Sequence, residues 1–127
     1  MTAQELSQLY YLEREIAEEE ERLAEVRARG YTAKGSKLDA MPGGEVGSSV
    51  EAIGSEIVDL ERRIAAKRRE LARLKDYIST VPDSLIRQIL HYRYELRCSW
   101  HGVARRVGGG NTNESVRKAA HRYLQKN

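Results

Sequence analysis

The feature that most constrains the fold is a heptad pattern of apolar residues in two long segments. From Thr2 to about Arg29 the chain has no Gly or Pro. Its apolar residues fall on the a and d positions of a heptad, which predicts a long helix that packs along one seam. These residues are Leu9, Leu12, Ile16, Leu23 and Val26, and Glu19 is the one interruption.

The second segment, from about Ser49 to Ser79, has the more regular pattern. A three-four alternation runs through four heptads and is broken only at Lys67. A repeat sustained over this length indicates a coiled coil rather than an ordinary amphipathic helix. The alternating residues are Val50, Ile53, Ile57, Leu60, Ile64, Leu71, Leu74 and Ile78.

Between the two segments, Gly30 to Ser49 holds five Gly and Pro42, which predicts a flexible connection. Such a connection can return the chain antiparallel, so we expect residues 1–79 to form a helical hairpin with a loop over 30–49. One possible register pairs Val26 with Val50, Leu23 with Ile53, Ile16 with Leu60 and Leu12 with Ile64. Its flanking charges place Glu15 opposite Arg63, Arg22 opposite Glu56 and Glu13 near Glu61, a weak electrostatic preference.

A two-helix hairpin alone is marginally stable, because each apolar residue is covered on a single side. A dimer that stacks two hairpins would cover more of Leu6, Tyr10 and Leu74. We therefore expect a homodimer, or a higher even oligomer, through residues 1–79. The alternative is a monomer whose hairpin folds against its own C-terminal domain.

Residues 80–127 predict a second domain of three helices. Pro82 ends the coiled coil but fits the first turn of a new helix, which Asp83 or Ser84 can cap. The buried stripe of this helix is expected to comprise Leu85, Ile86, Ile89, Leu90, Tyr94 and Leu96. This stripe should pack with Trp100, Val103, Ala104 and Val107 of the next helix.

Two short helices then follow, joined by a glycine turn. Ser99 is a good N-cap for a helix from Trp100 to Val107, and Gly108, Gly109 and Gly110 stop that helix. Thr112 is placed to cap the last helix. Apolar residues share one face of that helix, namely Val116, Ala119, Ala120, Tyr123 and Leu124. The layout is that of a helix-turn-helix, whose second helix lies in a DNA major groove.

The charge distribution agrees with this interpretation. The formal net charge of +3 combines −4 over residues 1–29 with +6 over residues 80–127. We therefore expect a polyanion partner at the C-terminal end only. The alternative is that the arginines only solvate helix faces.

Residues Tyr94 to Gly108, YELRCSWHGVARRVG, resemble the fourth region of bacterial sigma-70-type factors. The glycine turn with TNESVRKA is more similar to small phage proteins of the ArpU and RinA kind, which regulate late transcription. The resemblance covers roughly residues 82–127 and implies a DNA-binding transcription regulator, all-α in fold. Arg97 stands where the family usually has Gly, which predicts a left-handed or adjusted backbone at a residue that carries a Cβ.

The expected contacts with double-stranded DNA divide by chemistry. Arg117 and Asn113 have forked side chains that can read G and A edges, and Glu114 can read cytosine. The remaining candidates suit bases or phosphates. They are Arg105, Arg106, Asn111, Thr112, Lys118, His121 and Arg122.

Other function classes have little support in the sequence. His91, His101 and His121 lack a metal-ligand spacing, the glycine turn lacks the Lys-Ser/Thr of a phosphate loop, and Cys98 is alone. We therefore expect no enzyme activity, no cofactor and no metal, and a place in the bacterial cytoplasm. Two alternatives stay open, a sigma-like adaptor that docks its coiled coil on RNA polymerase and a packaging subunit like a phage small terminase.

Overall fold

The heptad segments and the C-terminal residues all form helices in the computed structural model, which describes residues 1–36 and 44–126. Five α-helices follow one another: α1 (Ala3–Ser36), α2 (Gly44–Ser79), α3 (Ser84–Leu90), α4 (Trp100–Val107) and α5 (Asn113–Lys126). α3 continues into a π-helical turn, His91–Glu95. The described residues contain no strand, and α1 and α2 pack as an antiparallel hairpin. The predicted all-α fold, a helical hairpin followed by three short helices, is therefore confirmed.

By packing, the chain divides into two compact units whose limits differ from the segments 1–79 and 80–127. One unit combines Met1–Glu13 with Arg69–Asn127, and the other is Arg14–Arg68. The first unit therefore contains the first turns of α1 and the last turns of α2 as well as α3, α4 and α5. The three short helices share their core with the ends of the hairpin.

The core of the first unit explains this division. Leu6, Leu9 and Leu74 are fully buried, and they belong to one apolar cluster with side chains of all three short helices. The buried members from the C-terminal part are Ile78, Val81, Ile89, Leu90, Tyr94, Val103, Ala104, Val116, Ala120 and Leu124. Leu6 and Leu74, which were expected to gain cover from a second chain, are thus covered within one chain.

Two of the residues that were predicted in the buried stripe of α3 are exposed instead. Leu85 keeps 40% and Leu96 49% of its surface exposed. Leu85 is the second residue of α3, in its first turn. Leu96 follows the π-helical turn, where the extra residue per turn rotates the chain away from the helical spacing used for the prediction.

In the second unit α1 and α2 enclose a narrow seam. Its buried apolar residues are Ile16, Leu23, Val26, Leu60 and Ile64. Ion pairs flank the seam on the surface, and the predicted pair of Arg22 with Glu56 is present at 2.9 Å. Exposed pairs of this kind contribute little stability each, so the seam carries most of the packing energy.

The predicted register is wrong by one heptad. Leu23 was expected opposite Ile53, but Ile53 lies against Gly30, where an added Cβ would come within 3.1 Å of Ile53 Cγ2. Glu15 pairs with Lys67 at 2.9 Å rather than facing Arg63. The other predicted contact, Glu13 near Glu61, is also absent among the described contacts, because Glu61 pairs with Arg27 at 3.1 Å.

The two interruptions of the heptad pattern meet in this register. Lys67 Nζ donates a short hydrogen bond to Glu19 Oε1 and also contacts Glu15. The side chains of Lys67 and Glu19 are only 25% and 18% exposed. The hydrogen bonds that Lys67 donates to the two carboxylates raise its pKa, the bond to Glu19 most strongly. The polar residues therefore form one layer of the seam, a device that specifies register in coiled coils.

The predicted connection over 30–49 is mostly helical where it is described. α1 continues through Gly30 to Ser36, and α2 begins at Gly44. At Gly30 the missing side chain allows the close approach of Ile53, so tertiary packing outweighs the low helix propensity of glycine there. Residues 37–43, the centre of the predicted loop, lie outside the described residues. No helix among those described is long and apolar enough to span a membrane.

Candidate nucleic-acid interface

The arrangement of α4, the glycine turn and α5 follows from local hydrogen bonds. Ser99 Oγ accepts a bond from the N–H of Gly102 at 3.1 Å, and Asp83 Oδ1 caps α3 in the same way through Ile86 N–H. Thr112 and Ser115 cap α5 reciprocally, since the hydroxyl of each accepts the backbone N–H of the other, at 3.1 and 2.8 Å. The predicted caps at Ser99, Asp83 and Thr112 are confirmed.

The turns before and after α4 use left-handed backbone. Gly108, Gly109 and Gly110 have φ of 62°, 65° and 77°, so the chain reverses at residues without a Cβ. Arg97 has φ of 55°, the only positive value at a non-glycine residue in the described part of the chain. The left-handed backbone predicted at this position is therefore present, at a cost of about 1–2 kcal/mol for a side chain.

The orientation of α5 is fixed by its apolar side. Val116, Ala120 and Leu124 are buried in the core of the first unit. Because these residues recur at a four-residue spacing, the opposite face of α5 must point to solvent. Exposed residues on that side include Glu114, Lys118, His121 and Arg122, whereas Asn113 is exposed as the first residue of α5.

Arg117 lies at the edge of this face. Its guanidinium donates a short hydrogen bond to Glu114 Oε1, one turn earlier, and 44% of its side chain is exposed. Lys118 Nζ lies 3.7 Å from the same oxygen. The bond from Arg117 lowers the pKa of Glu114, so this carboxylate stays charged in neutral solution. Glu114 therefore partly neutralises two cations of the candidate face.

Three predicted residues lie outside α5. Arg105 and Arg106 are exposed on the last turn of α4, and the Arg106 guanidinium lies 5.6 Å from the ring centre of Tyr92. Asn111 instead stabilises the turn, because its Nδ2 donates to the carbonyl of Gly108 at 2.8 Å. The structure thus groups the predicted residues on α5 and the end of α4, while the Asn111 amide is already bonded to the backbone.

A contact that the sequence did not predict joins this face to the π-helical turn. The Trp100 ring lies 6.2 Å from the ring of His121, and the Arg93 guanidinium lies 4.4 Å from the centre of Trp100. Trp100 was expected in the core but is only partly buried. Its place as the first residue of α4, after a cap that faces solvent, was the available signal for this exposure.

Cations without a carboxylate partner are frequent in the C-terminal part. Within the described residues, seven basic side chains there form no ion pair: Arg87, Arg93, Arg97, Arg105, Arg106, Arg122 and Lys126. Most cations of the hairpin are paired with glutamates of the opposite helix, although Arg62, Arg63 and Arg69 of α2 are exceptions. Unpaired cations concentrated in this part of the chain favour an anionic partner.

Other kinds of site have less support in the geometry. Across residues 1–36 and 44–126, no three His, Cys, Asp or Glu side chains lie close enough together to hold a metal ion. Cys98 is a partly buried free thiol. Comparison of the chain with models of protein families, with curated proteins and with solved structures found no match.

Proposed function

We propose that the chain is a sequence-specific DNA-binding transcription regulator that inserts α5 into the major groove. One observation carries this proposal. Basic side chains and side chains that can read base edges are exposed together on α5, because the apolar side of this helix is buried in the core. Arg105 and Arg106 at the end of α4 lie beside the glycine turn and suit the phosphates that flank the groove. The proposal extends to phage late transcription, because that is the family the sequence resembles.

Replacing Arg117 tests the placement of α5. Arg117→Ala should cost about 1–3 kcal/mol on a selected DNA site and relax the preference at one base pair, because a forked side chain is removed from a base edge. The measurement is selection from random duplex DNA, followed by gel-shift titration of natural chain and variant at one salt concentration.

Arg62→Ala is the matched control for this experiment. Arg62 is an exposed arginine of α2, and in the described part of the chain it has no ion pair. Its loss removes the same charge without touching α5. Equal effects of both substitutions, or none from Arg117→Ala, would contradict the proposed placement.

Glu114 should limit the affinity of this face for DNA. Glu114→Gln removes a negative charge and releases Arg117 and Lys118, so we expect tighter binding to duplex DNA of any sequence. The pKa of Glu114 is lowered in the folded chain. Its carboxylate is therefore charged at pH values above the ordinary pKa of 4.5, and it is protonated only when the pH falls through the lower folded-state pKa. The gain should therefore be constant between about pH 5 and 8.

Fluorescence anisotropy with a labelled duplex at several pH values measures this gain. Glu25→Gln, at an exposed glutamate of α1, is the control for the change in net charge. If both variants gain affinity equally, the effect comes from net charge and not from release of Arg117 and Lys118.

Dimerisation through residues 1–79 stays a prediction, but Leu6 and Leu74 no longer count in its favour. Leu6 and Leu74 are buried within one chain, so a dimer would have to use the outer faces of the hairpin. Sedimentation equilibrium at micromolar concentration decides between the states: a dimer has about twice the monomer mass of 14.5 kDa. A dimer would imply paired DNA half-sites, and the monomer mass would reject it.

A further inference from the structure

A hollow of about 450 Å³ lies in the first unit, between the first turns of α1 and the loop that leads into α4. Tyr10 and Tyr11 of α1 form one wall, and Arg93, Arg97 and Cys98 form the other. Its volume falls within the range of roughly 300–1,000 Å³ that is usual for ligand sites. No carboxylate is among the described residues that line it. The hollow therefore suits an anion.

Arg97 contributes a fixed cation to this hollow. Its guanidinium lies 4.2 Å from the ring centre of Tyr10 and 5.3 Å from that of Tyr11. Stacking restrains the plane of the guanidinium and leaves its edge free to donate hydrogen bonds. Arg97 also has left-handed backbone, and a strained conformation of this kind is a reason to look for a function.

Arg93 supplies a second guanidinium on the same wall. Its Nη1 donates to the carbonyl of Cys98 at 3.0 Å, and the group also lies over Trp100. The hydrogen bond to Cys98 uses one of the five N–H donors of the Arg93 guanidinium. Among the described residues, neither Arg93 nor Arg97 has a carboxylate partner. The hollow thus presents two oriented cations with unused donors.

Side-chain contacts link the hollow to the candidate DNA-binding face. Arg93 contacts Trp100, and Trp100 lies 6.2 Å from His121 on α5. Phosphates recur about every 3.4 Å of helix axis along each DNA strand. The contacts from Arg93 through Trp100 to His121 are the basis for placing the hollow beside a strand that borders the groove occupied by α5.

We propose that this hollow binds a backbone phosphate of the DNA, so that the start of α1 forms part of the DNA-binding site. The inference rests on the proposed function, because it takes the phosphate from the duplex that α5 reads. The two guanidiniums would hold the phosphate oxygens, and the tyrosine rings would pack beside the adjoining sugar. This contact carries no base preference and sets the position of α5 along the groove.

The test compares the salt dependence of DNA binding by full-length variants. Arg97→Gln removes the charge but keeps a side chain at the left-handed position, so the backbone strain is unchanged. We expect affinity to fall on all sequences and the slope of log K against log salt to decrease in magnitude by about 0.9, the value for one lost phosphate contact. Arg97→Lys should restore most of the slope, and Arg63→Gln should leave it unchanged. Thermal melting confirms that each variant is folded.

The outcomes separate this inference from the proposed function. An unchanged slope in Arg97→Gln, with Arg117→Ala still impairing binding, overturns the phosphate site alone. Absence of DNA binding by the natural chain overturns both. Trp100 is the only tryptophan, so its fluorescence reports on Arg93 during titration with inorganic phosphate alone. We expect no saturable change at millimolar phosphate, and a saturable change lost in Arg97→Gln would assign the hollow to free phosphate instead.

Discussion

Leu6→Ala in the full chain is expected to destabilise the first unit by about 2–5 kcal/mol. Leu6 is fully buried in the cluster that also holds Val103 and Val116, although it lies far from them in sequence. Shortening it removes apolar contacts and leaves a cavity that the surrounding helices fill only in part. The free energy of unfolding, from urea titration followed by circular dichroism, measures the effect.

Leu85→Ala is the matched control, because it makes the same chemical change at a leucine that is 40% exposed. We expect a loss of about 0.5 kcal/mol or less there. Similar losses at Leu6 and Leu85 would contradict the core described above. The expected difference also bears on function, since it would show that the first turns of α1 stabilise the unit that contains α4 and α5.

Local hydrogen-bond chemistry made part of the fold predictable. A capping residue accepts hydrogen bonds from N–H groups within three positions of it, so the caps at Ser99 and Thr112 could be predicted from the sequence. The end of α4 at Gly108 could also be recognised locally, whereas the backbone at Arg97 was expected from the resemblance, in which Gly usually stands at that position. The buried face of α5 followed from a regular four-residue spacing.

Contacts between distant segments were harder to predict. Apolar periodicity indicates which face of a helix is buried but not which partner covers it, so the burial of Leu6 and Leu74 by the short helices was missed. The register of the hairpin was missed because heptads look alike when shifted by seven residues. At the candidate site, the exposed residues of α5 were predicted, whereas the pairing of Glu114 with Arg117 and the stacking of Arg93 on Trp100 depend on side-chain rotamers.

The register is therefore best tested where the pattern is broken, at Lys67 and Glu19. In the register predicted from apolar residues Glu19 would face Ile57, and its charge would be buried without a partner. In the observed register Lys67 serves both Glu19 and Glu15, so Lys67→Met leaves two carboxylates beside an apolar seam. We expect this variant to lose about 2 kcal/mol, less than the roughly 3–5 kcal/mol of a fully buried pair because both side chains keep some exposure.

Glu19→Leu alone should cost less, since Lys67 keeps its bond to Glu15. The double variant Glu19→Leu/Lys67→Met should regain stability and can exceed the natural chain by about 1–4 kcal/mol, because a well-packed apolar layer replaces two desolvated charges. Glu19 Oε2, which is buried without a hydrogen-bond partner in the described structure, would also be removed. Urea titrations of the four chains give the coupling energy between the two positions.

Replacing the polar pair by an apolar layer should make the register of the hairpin less specific. Without the polar pair, registers that differ by one heptad become closer in energy, so we expect the double variant to form mixed registers or oligomers. Two pairs of cysteine substitutions, Gly30→Cys with Ile53→Cys and Leu23→Cys with Ile53→Cys, distinguish the two registers by disulfide cross-linking. A double variant that cross-links only through the first pair, as a single species, would mean that Glu19 and Lys67 do not select the register.

The same layer makes a prediction for alkaline solution. The folded-state pKa of Lys67 is raised, so its stabilisation is fully present below the ordinary value of 10.5 and is lost as the pH rises through the higher folded value. Between about pH 6 and 9 the natural chain should therefore show no loss of stability from this group. Above that range its unfolding free energy should fall more steeply than that of the double variant, and parallel curves for the two chains would contradict the role assigned to the pair.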